Sequence, residues 1–296
     1  MAHYFDTYSE MQKLKPSGFR DLLRNAVLDV LSLLEKIKSD EILSSKPRVQ
    51  FIYIHHIFKD EEKQLRVLLQ TLQKHFTFIS YSEAVNKILN CEIDKPYIAI
   101  SSDDGLKNNL RAAEILNEYG AKACFFINPS IIGEKNFSVI SEHCKNKLEF
   151  PPVEFLNWDE VSLLQKSGHE IGSHTMSHRN LAKSTQSEIS EDIQKSHSVL
   201  LEKCGEAKHF AFPYGTFSDF NEGGRKACFD AGFISCASAE RGCHINPENK
   251  LANDELCILR DHIILDWRME HILFFLSRNA RKAKPENNFF PYKNHQ

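Results

Sequence analysis

Residues 97–128 read YIAISSDDGLKNNLRAAEILNEYGAKACFFIN. An apolar run, Tyr97 to Ile100, leads into two adjacent carboxylates, Asp103 and Asp104, and then Gly105. Leu106, Leu110, Ala113 and Leu116 follow at helical spacing, Gly120 ends the segment, and a second apolar run spans Ala123 to Ile127. The pattern predicts strand, turn, helix and strand, one βαβ unit. Parallel strands buried on both faces are continuously apolar. Ligands of such folds sit beyond the carboxyl ends of strands, where Asp103 and Asp104 fall. Two neighbouring carboxylates raise each other's pKa unless a cation offsets them. A helix N-cap followed by a solvated aspartate would explain the pair without a cation.

Outward from this unit, strands and helices alternate. Residues 49–54 predict a strand with His55 and His56 at its end. A helix over 61–74, a short strand over 76–79 and a short helix over 81–89 come next. Residues 131–155, charged and carrying Pro151-Pro152, read as an irregular surface loop. Further helices are expected over 158–167, 187–203, 222–231 and 268–278, and strands near 170, over 208–212, 233–237 and 256–265. The alternation predicts an α/β fold with a parallel sheet or barrel. Residues 1–47 read as a helical extension with an apolar stripe that includes Phe19, Leu22, Leu23, Val27, Val30, Leu34 and Ile37. The stripe suits packing on the domain, self-association or a membrane-surface contact. Residues 282–296 read as a loose polar tail.

The 296 residues suffice for one large α/β domain or two small ones. Hydrophobic residues at 42% and charged residues at 26% fit a soluble globular protein. A net charge of −3 gives no electrostatic case for a nucleic-acid partner, and no apolar run reaches transmembrane length. The N-terminus lacks a secretory-signal pattern, so the eight cysteines are expected as reduced, buried thiols in a cytoplasmic protein. Cys236, Cys243 and His244 lack a usual zinc spacing.

His174 and His178, in GHEIGSHTMSH at 168–178, are spaced i, i+4. On one helical turn their rings would face the same way and could share a cation, although solvated surface histidines have the same spacing. With Asp104 at another strand end they make a two-histidine, one-carboxylate set, the donor set of a catalytic metal site. Asp103 is then placed to act as a base toward an attacking water.

SSDDG at 101–105, SHTMSH at 173–178 and FAFPYG at 210–215 together resemble three ordered motifs of the polysaccharide deacetylase family. This family is also known as the NodB-homology or carbohydrate esterase family 4 group, and the resemblance runs from about Val49 to Asp266. It implies a distorted (β/α)7-type barrel, NodB-like, over residues 48–281, with residues 1–47 as an N-terminal helical extension. It implies Asp103 as catalytic base and Asp104, His174 and His178 as ligands of one divalent metal ion, zinc first, with nickel, cobalt and iron open. Pro213, Tyr214 and Gly215 match the motif that lines the substrate groove, with the Tyr214 N–H toward the oxyanion. Two departures stand out. Ser102 replaces an aromatic residue, and Ala211 stands where an arginine orients the base. Arg260 is the expected substitute, since its fork could hold Asp103 bidentately, and a structural ion pair is the competing reading. His262, two residues on and on the same face of a strand, is the candidate general acid. His55 is a candidate substrate contact, and His271 reads as a surface residue. The implied reaction is metal-dependent hydrolysis of an N-acetyl group from an amino sugar, on a carbohydrate substrate such as a cytosolic glycan precursor or oligosaccharide. A non-sugar amide or formamide hydrolase, an inactive glycan-binding module and an assembly subunit acting through residues 1–47 remain as alternatives.

Overall fold

The apolar runs form the strands of one curled sheet in the computed structural model, which describes residues 3–14 and 18–291. Helices α1 (Tyr8–Leu14) and α2 (Phe19–Ser45) precede β1 (Arg48–Ile54). Next come α3 (Glu62–Leu72), β2 (Thr77–Phe78), α4 (Tyr81–Leu89), β3 (Pro96–Ser102), α5 (Asn109–Glu118) and β4 (Ala123–Ile127). They are followed by α6 (Phe137–His143), α7 (Trp158–Lys166), β5 (Glu170–Ser173), α8 (Gln186–Cys204) and β6 (His209–Ala211). The chain closes with α9 (Glu222–Asp230), β7 (Ser235–Ala237), β8 (Cys243–His244), β9 (Cys257–Ile258), β10 (Arg260–His262) and α10 (Met269–Lys282).

The strand order is β10-β1-β3-β4-β5-β6-β7-β9, with β2 added beside β3 and β8 antiparallel to β1. The strand expected over 256–265 is broken at Leu259, whose N–H donates to His244 Nε2 at 3.0 Å. Its first half pairs with β7 and its second half with β1, both parallel. One stretch thus joins the two edges and curls seven parallel strands into a distorted α/β barrel. Every residue of β1, β3 and β4 is buried, as two-sided burial of parallel strands requires.

Alternation along the strands sorts the side chains into two layers. Ile52, Ile98, Ile100, Phe125, Ile171 and Phe210 pack with the surrounding helices. Val49, Phe51, Tyr97, Ala99, Phe126, Ala211, Ala237 and Ile258 pack together inside, with Tyr81, Ala84, Val85 and Ile88 of α4. Asp103 shares the register of Tyr97 and Ala99, so the inner layer leads to it. Gly172 keeps β5 close to its neighbours, because a Cβ there would sit 2.4 Å from Phe126 Cδ1 and 3.0 Å from the His209 carbonyl oxygen.

Helix α2 lies on α10, with a Ser39–Ser277 hydroxyl contact of 2.8 Å. Arg48, fully buried, donates to the carbonyls of Ile42, Leu43 and Lys46 and so caps the carboxyl end of α2. Leu28 and Leu43 face inward, whereas Leu23, Val27, Val30, Leu33 and Leu34 are exposed. Stripe positions Phe19, Leu22 and Ile37 have side chains outside the described set. Among the described residues no helix is long and apolar enough to cross a membrane, and all eight cysteines are free.

Three expectations need correction. Residues 131–155 are not an irregular surface loop: they form α6 and one wider helical turn over Cys144–Leu148. Ile131, Ile140, Cys144, Val153 and Phe155 there bury a third cluster with Phe58 and Leu106. The helix is short and its few apolar positions lie between charges, which hides its period. The polar tail is docked as far as it is described. Asn288 Oδ1 accepts from His244 Nδ1 at 2.8 Å, its Nδ2 donates to the Ile245 carbonyl, and Phe290 is buried; residues 292–296 lie outside the described set. His271 is buried rather than on the surface, with its Nε2 2.8 Å from Asp29 of α2, because α2 covers the face of α10 that carries it.

Candidate active site

The ends of β3, β5, β6 and β10 converge on one cavity of about 550 Å3, lined among others by Asp103, Asp104, His174, His178, Tyr214, Arg260 and His262. Asp103 follows β3 and its N–H donates to the Ile54 carbonyl at 3.2 Å, so it is fixed as an extension of the sheet. Asp104 then turns into the left-handed region at φ 75°, as do Thr175 at 64°, His178 at 54° and Tyr214 at 63°. Such backbone is costly for residues with a Cβ and gathers at functional sites. Here four such residues come from three separate loops around one cavity.

The two histidines lie not on a helical turn, as their spacing predicts, but on a tight turn after β5. The left-handed Thr175 and His178 fold the chain back, so the rings meet at a centroid distance of 5.1 Å. Asp192 of α8 holds the turn, accepting from Met176 N–H and Ser177 Oγ at 2.7 Å each. Asn128, at the end of β4, donates to the carbonyls of His174 and Thr175. The sequence reading passed over both positioning residues. Asp192 had a signal, since it interrupts the buried row Ile189, Ile193 and Leu200 of an otherwise amphipathic helix. Asn128 had none.

His174 Nε2 and His178 Nε2 approach Asp104 Oδ1 at 3.6 and 3.5 Å. All three residues are buried, and Asp104 Oδ1 has no hydrogen-bond partner among the described residues. His174 Nδ1 lies 2.8 Å from the Ala211 carbonyl, which takes its N–H and leaves Nε2 as a lone-pair donor. Burial and the neighbouring Asp103 charge push Asp104 up to about 8 in the protein alone, and burial lowers both histidines. A buried carboxylate with an orphaned oxygen, facing two neutral imidazoles, fits a divalent cation. The donor atoms of these three residues lie within 4.8 Å of one another.

Arg260 of β10 reaches past β1 to Asp103 at the end of β3, Nη1 to Oδ1 at 2.7 Å and Nη2 to Oδ2 at 2.9 Å. It also donates to the Ser238 carbonyl and Ser101 Oγ, and its guanidinium lies 4.5 Å from the Tyr53 ring centroid. The small inner side chains Ala99, Ala211 and Ala237 belong to the layer in which it lies. Burial pushes Asp103 up, but the Arg260 charge and fork outweigh it and hold the carboxyl at about 2. Ser102, where an aromatic residue was expected, faces the other way and donates to Asn109 Oδ1 at 3.0 Å.

His262 stacks on Tyr53 at 4.8 Å, and its Nε2 lies 3.2 Å from His55 Nδ1. Burial, with Arg241 nearby, lowers His262 to about 4; burial and the facing His262 lower His55 to about 3. Arg241, also missed in the sequence, donates to the His262 carbonyl and pairs with buried Asp261. His56 turns to Glu61 at 2.9 Å. Tyr214 and Gly215 line the cavity, the Tyr214 ring standing edge-on to His178 at 5.0 Å. Pro213 is buried and is not among the lining residues.

A family model described as polysaccharide deacetylase matches residues 91–227. That span holds Asp103, Asp104, His174, His178 and Tyr214, while His55, Arg260 and His262 lie outside it. A peptidoglycan-N-acetylglucosamine deacetylase of Bacillus cereus is 31% identical over 125 residues, 41% of this chain and 38% of the relative. A chitooligosaccharide deacetylase of Azorhizobium caulinodans is 32% identical over 127 residues, 41% of this chain and 49% of the relative. The chain thus spans less than half the length of these curated relatives. Among solved structures, the Streptococcus pyogenes deacetylase PplD in complex with acetate superposes with a TM-score of 0.59 at 16% identity, covering 79% of this chain and 99% of that one. IcaB from Ammonifex degensii superposes at 0.60 and 16% identity, covering 80% and 98%. At that identity the likeness speaks for the fold.

Proposed function

We propose, from the polysaccharide deacetylase family model that matches residues 91–227, that the chain is a member of that family and hydrolyses an N-acetyl group of an amino sugar with the help of one divalent cation. The observation that carries the proposal is the orphaned, buried Asp104 Oδ1 facing two imidazole nitrogens, beside a second carboxylate held ionised by Arg260. Asp104, His174 and His178 would hold the cation, with zinc first and other transition metals compatible with the same donors. Bound there, it would supply Lewis acidity toward the scissile carbonyl and the attacking water.

The protein's own groups do the rest. Asp103, ionised and fixed by the Arg260 fork, accepts the proton of the attacking water at a carboxylate oxygen. The Tyr214 N–H, turned by its left-handed backbone, donates to the oxyanion that forms as the amide carbonyl becomes tetrahedral. The C–N bond then breaks and the nitrogen leaves as an amine, taking up the proton that Asp103 removed from water. His262, paired with His55, is the ring placed to pass that proton on. Burial keeps both rings neutral in the free protein, so His262 acts as a relay more than as a standing acid. The products are acetate and a free amino sugar.

Incubating the metal-loaded chain with acetylated amino sugars and chitooligosaccharides tests the reading. Acetate and free amine should appear in equal amounts, and a chelator should stop both. Release of formate from N-formyl compounds with none of acetate would instead favour the non-sugar amide reading. Binding of glycan without any release would favour a binding module.

A further inference from the structure

Residues 3–14 form a strap across the mouth of the catalytic cavity. Phe5 N–H donates to the Pro152 carbonyl at 2.9 Å, and the Tyr4 ring meets Phe137 edge-on at 5.2 Å. Asp60 accepts from Tyr8 N–H, Ser9 N–H and Ser9 Oγ at 2.8, 3.0 and 2.7 Å. Gln12 Nε2 donates to Asp266 at 3.0 Å. The strap is thereby tied to three different loops of the barrel mouth. Its inner side brings Tyr8, Met11 and Leu14 to the cavity wall, which Leu148, Phe150 and Leu265 also line. Tyr8 also stacks over His56 at 5.8 Å.

The cavity is therefore divided by chemistry. The carboxylates, the histidines and Arg260 gather at the strand ends. The strap and residues 147–151 add aliphatic and aromatic surface, with Lys147 and Glu149 as further charged lining residues. A long glycan would need a row of hydrogen-bonding side chains along an open groove, whereas this wall is mostly apolar and the strap runs along it. A cavity of about 550 Å3 is also within the range of roughly 300–1,000 Å3 that encloses one drug-sized ligand. Resting on the deacetylase reading above, we propose that the substrate is a short, amphiphilic N-acetylated amino sugar, its amide at the carboxylates and an apolar group against Tyr8, Met11, Leu148 and Phe150. The strap selects for it and against internal units of a polymer.

The test compares acetate release from N-acetylglucosamine, its octyl glycoside and chitohexaose by the full chain. The octyl glycoside should exceed the free sugar in kcat/KM by about tenfold or more, since one methylene in an apolar pocket is already worth roughly 10- to 200-fold. Chitohexaose should be the poorest. Replacing Tyr8→Ala and Met11→Ala together should remove the octyl preference and improve chitohexaose. Asp60→Ala, which loosens the strap without altering its wall, should move both in the same direction and guards against a misfolded double variant. Chitohexaose turned over as well as the octyl glycoside, or an octyl preference that survives in both variants, would overturn the proposal while leaving the deacetylase reading intact. Release from none of the three would strike the deacetylase reading; calorimetric binding then decides for the strap, supporting it if the octyl glycoside binds more tightly than chitohexaose and overturning it otherwise.

Discussion

Replacing Asp103 with asparagine is expected to lower acetate release by about 10²- to 10⁴-fold, the usual contribution of a positioned proton acceptor. Asparagine matches the carboxylate in shape and can still accept from Arg260 through its amide oxygen. It cannot take a proton from water. Asp103 is not among the residues whose donors cluster around Asp104 Oδ1, so metal content should be retained in this variant. Acetate assays beside metal analysis separate the two effects. Retained turnover in Asp103→Asn would remove the base from the mechanism, and lost metal would make Asp103 a ligand instead.

Arg260→Ala is expected to cost about 3–5 kcal/mol of stability, because it leaves Asp103 buried without its partner. A denaturant melt reads this directly. The variant should also shift the pH profile of any remaining activity. In the wild type burial raises Asp103, and Arg260 more than offsets it, giving a value of about 2. A carboxyl lowered in the fold contributes stability above its unfolded pKa, and that contribution is lost as pH falls through the folded value. Without Arg260 the main opposition to burial is gone, Asp103 rises, and the acid limb of activity moves to higher pH. Arg260→Lys keeps the charge but not the fork. It should recover part of the stability and little of the rate. An acid limb unmoved in Arg260→Ala would show that Arg260 does not set the state of Asp103.

The barrel was readable because two-sided burial writes parallel strands as continuous apolar runs, as in Tyr97–Ile100 and Ala123–Ile127. The geometry around Arg260 was readable for a related reason: two residues apart on a strand means the same face, and Arg260 and His262 do share the cavity. The turn at 174–178 was misread because i, i+4 spacing is ambiguous. A helix brings such rings together by periodicity, and here left-handed Thr175 and His178 do it by reversing the chain. The strap was invisible for a different reason. Its ties, Tyr8 to Asp60 and Gln12 to Asp266, join residues up to 254 positions apart, each through ordinary polar groups. No local pattern records such pairings. The same holds for His271, whose burial depends on α2 covering it.

The measurement to make first is the metal content of the purified chain beside its Asp104→Ala variant, each after reconstitution and desalting. About one divalent ion per wild-type chain is expected, lost in the variant together with acetate release. No ion in the reconstituted wild type, or an ion that stays when Asp104 is removed, would contradict the site built here from Asp104, His174 and His178.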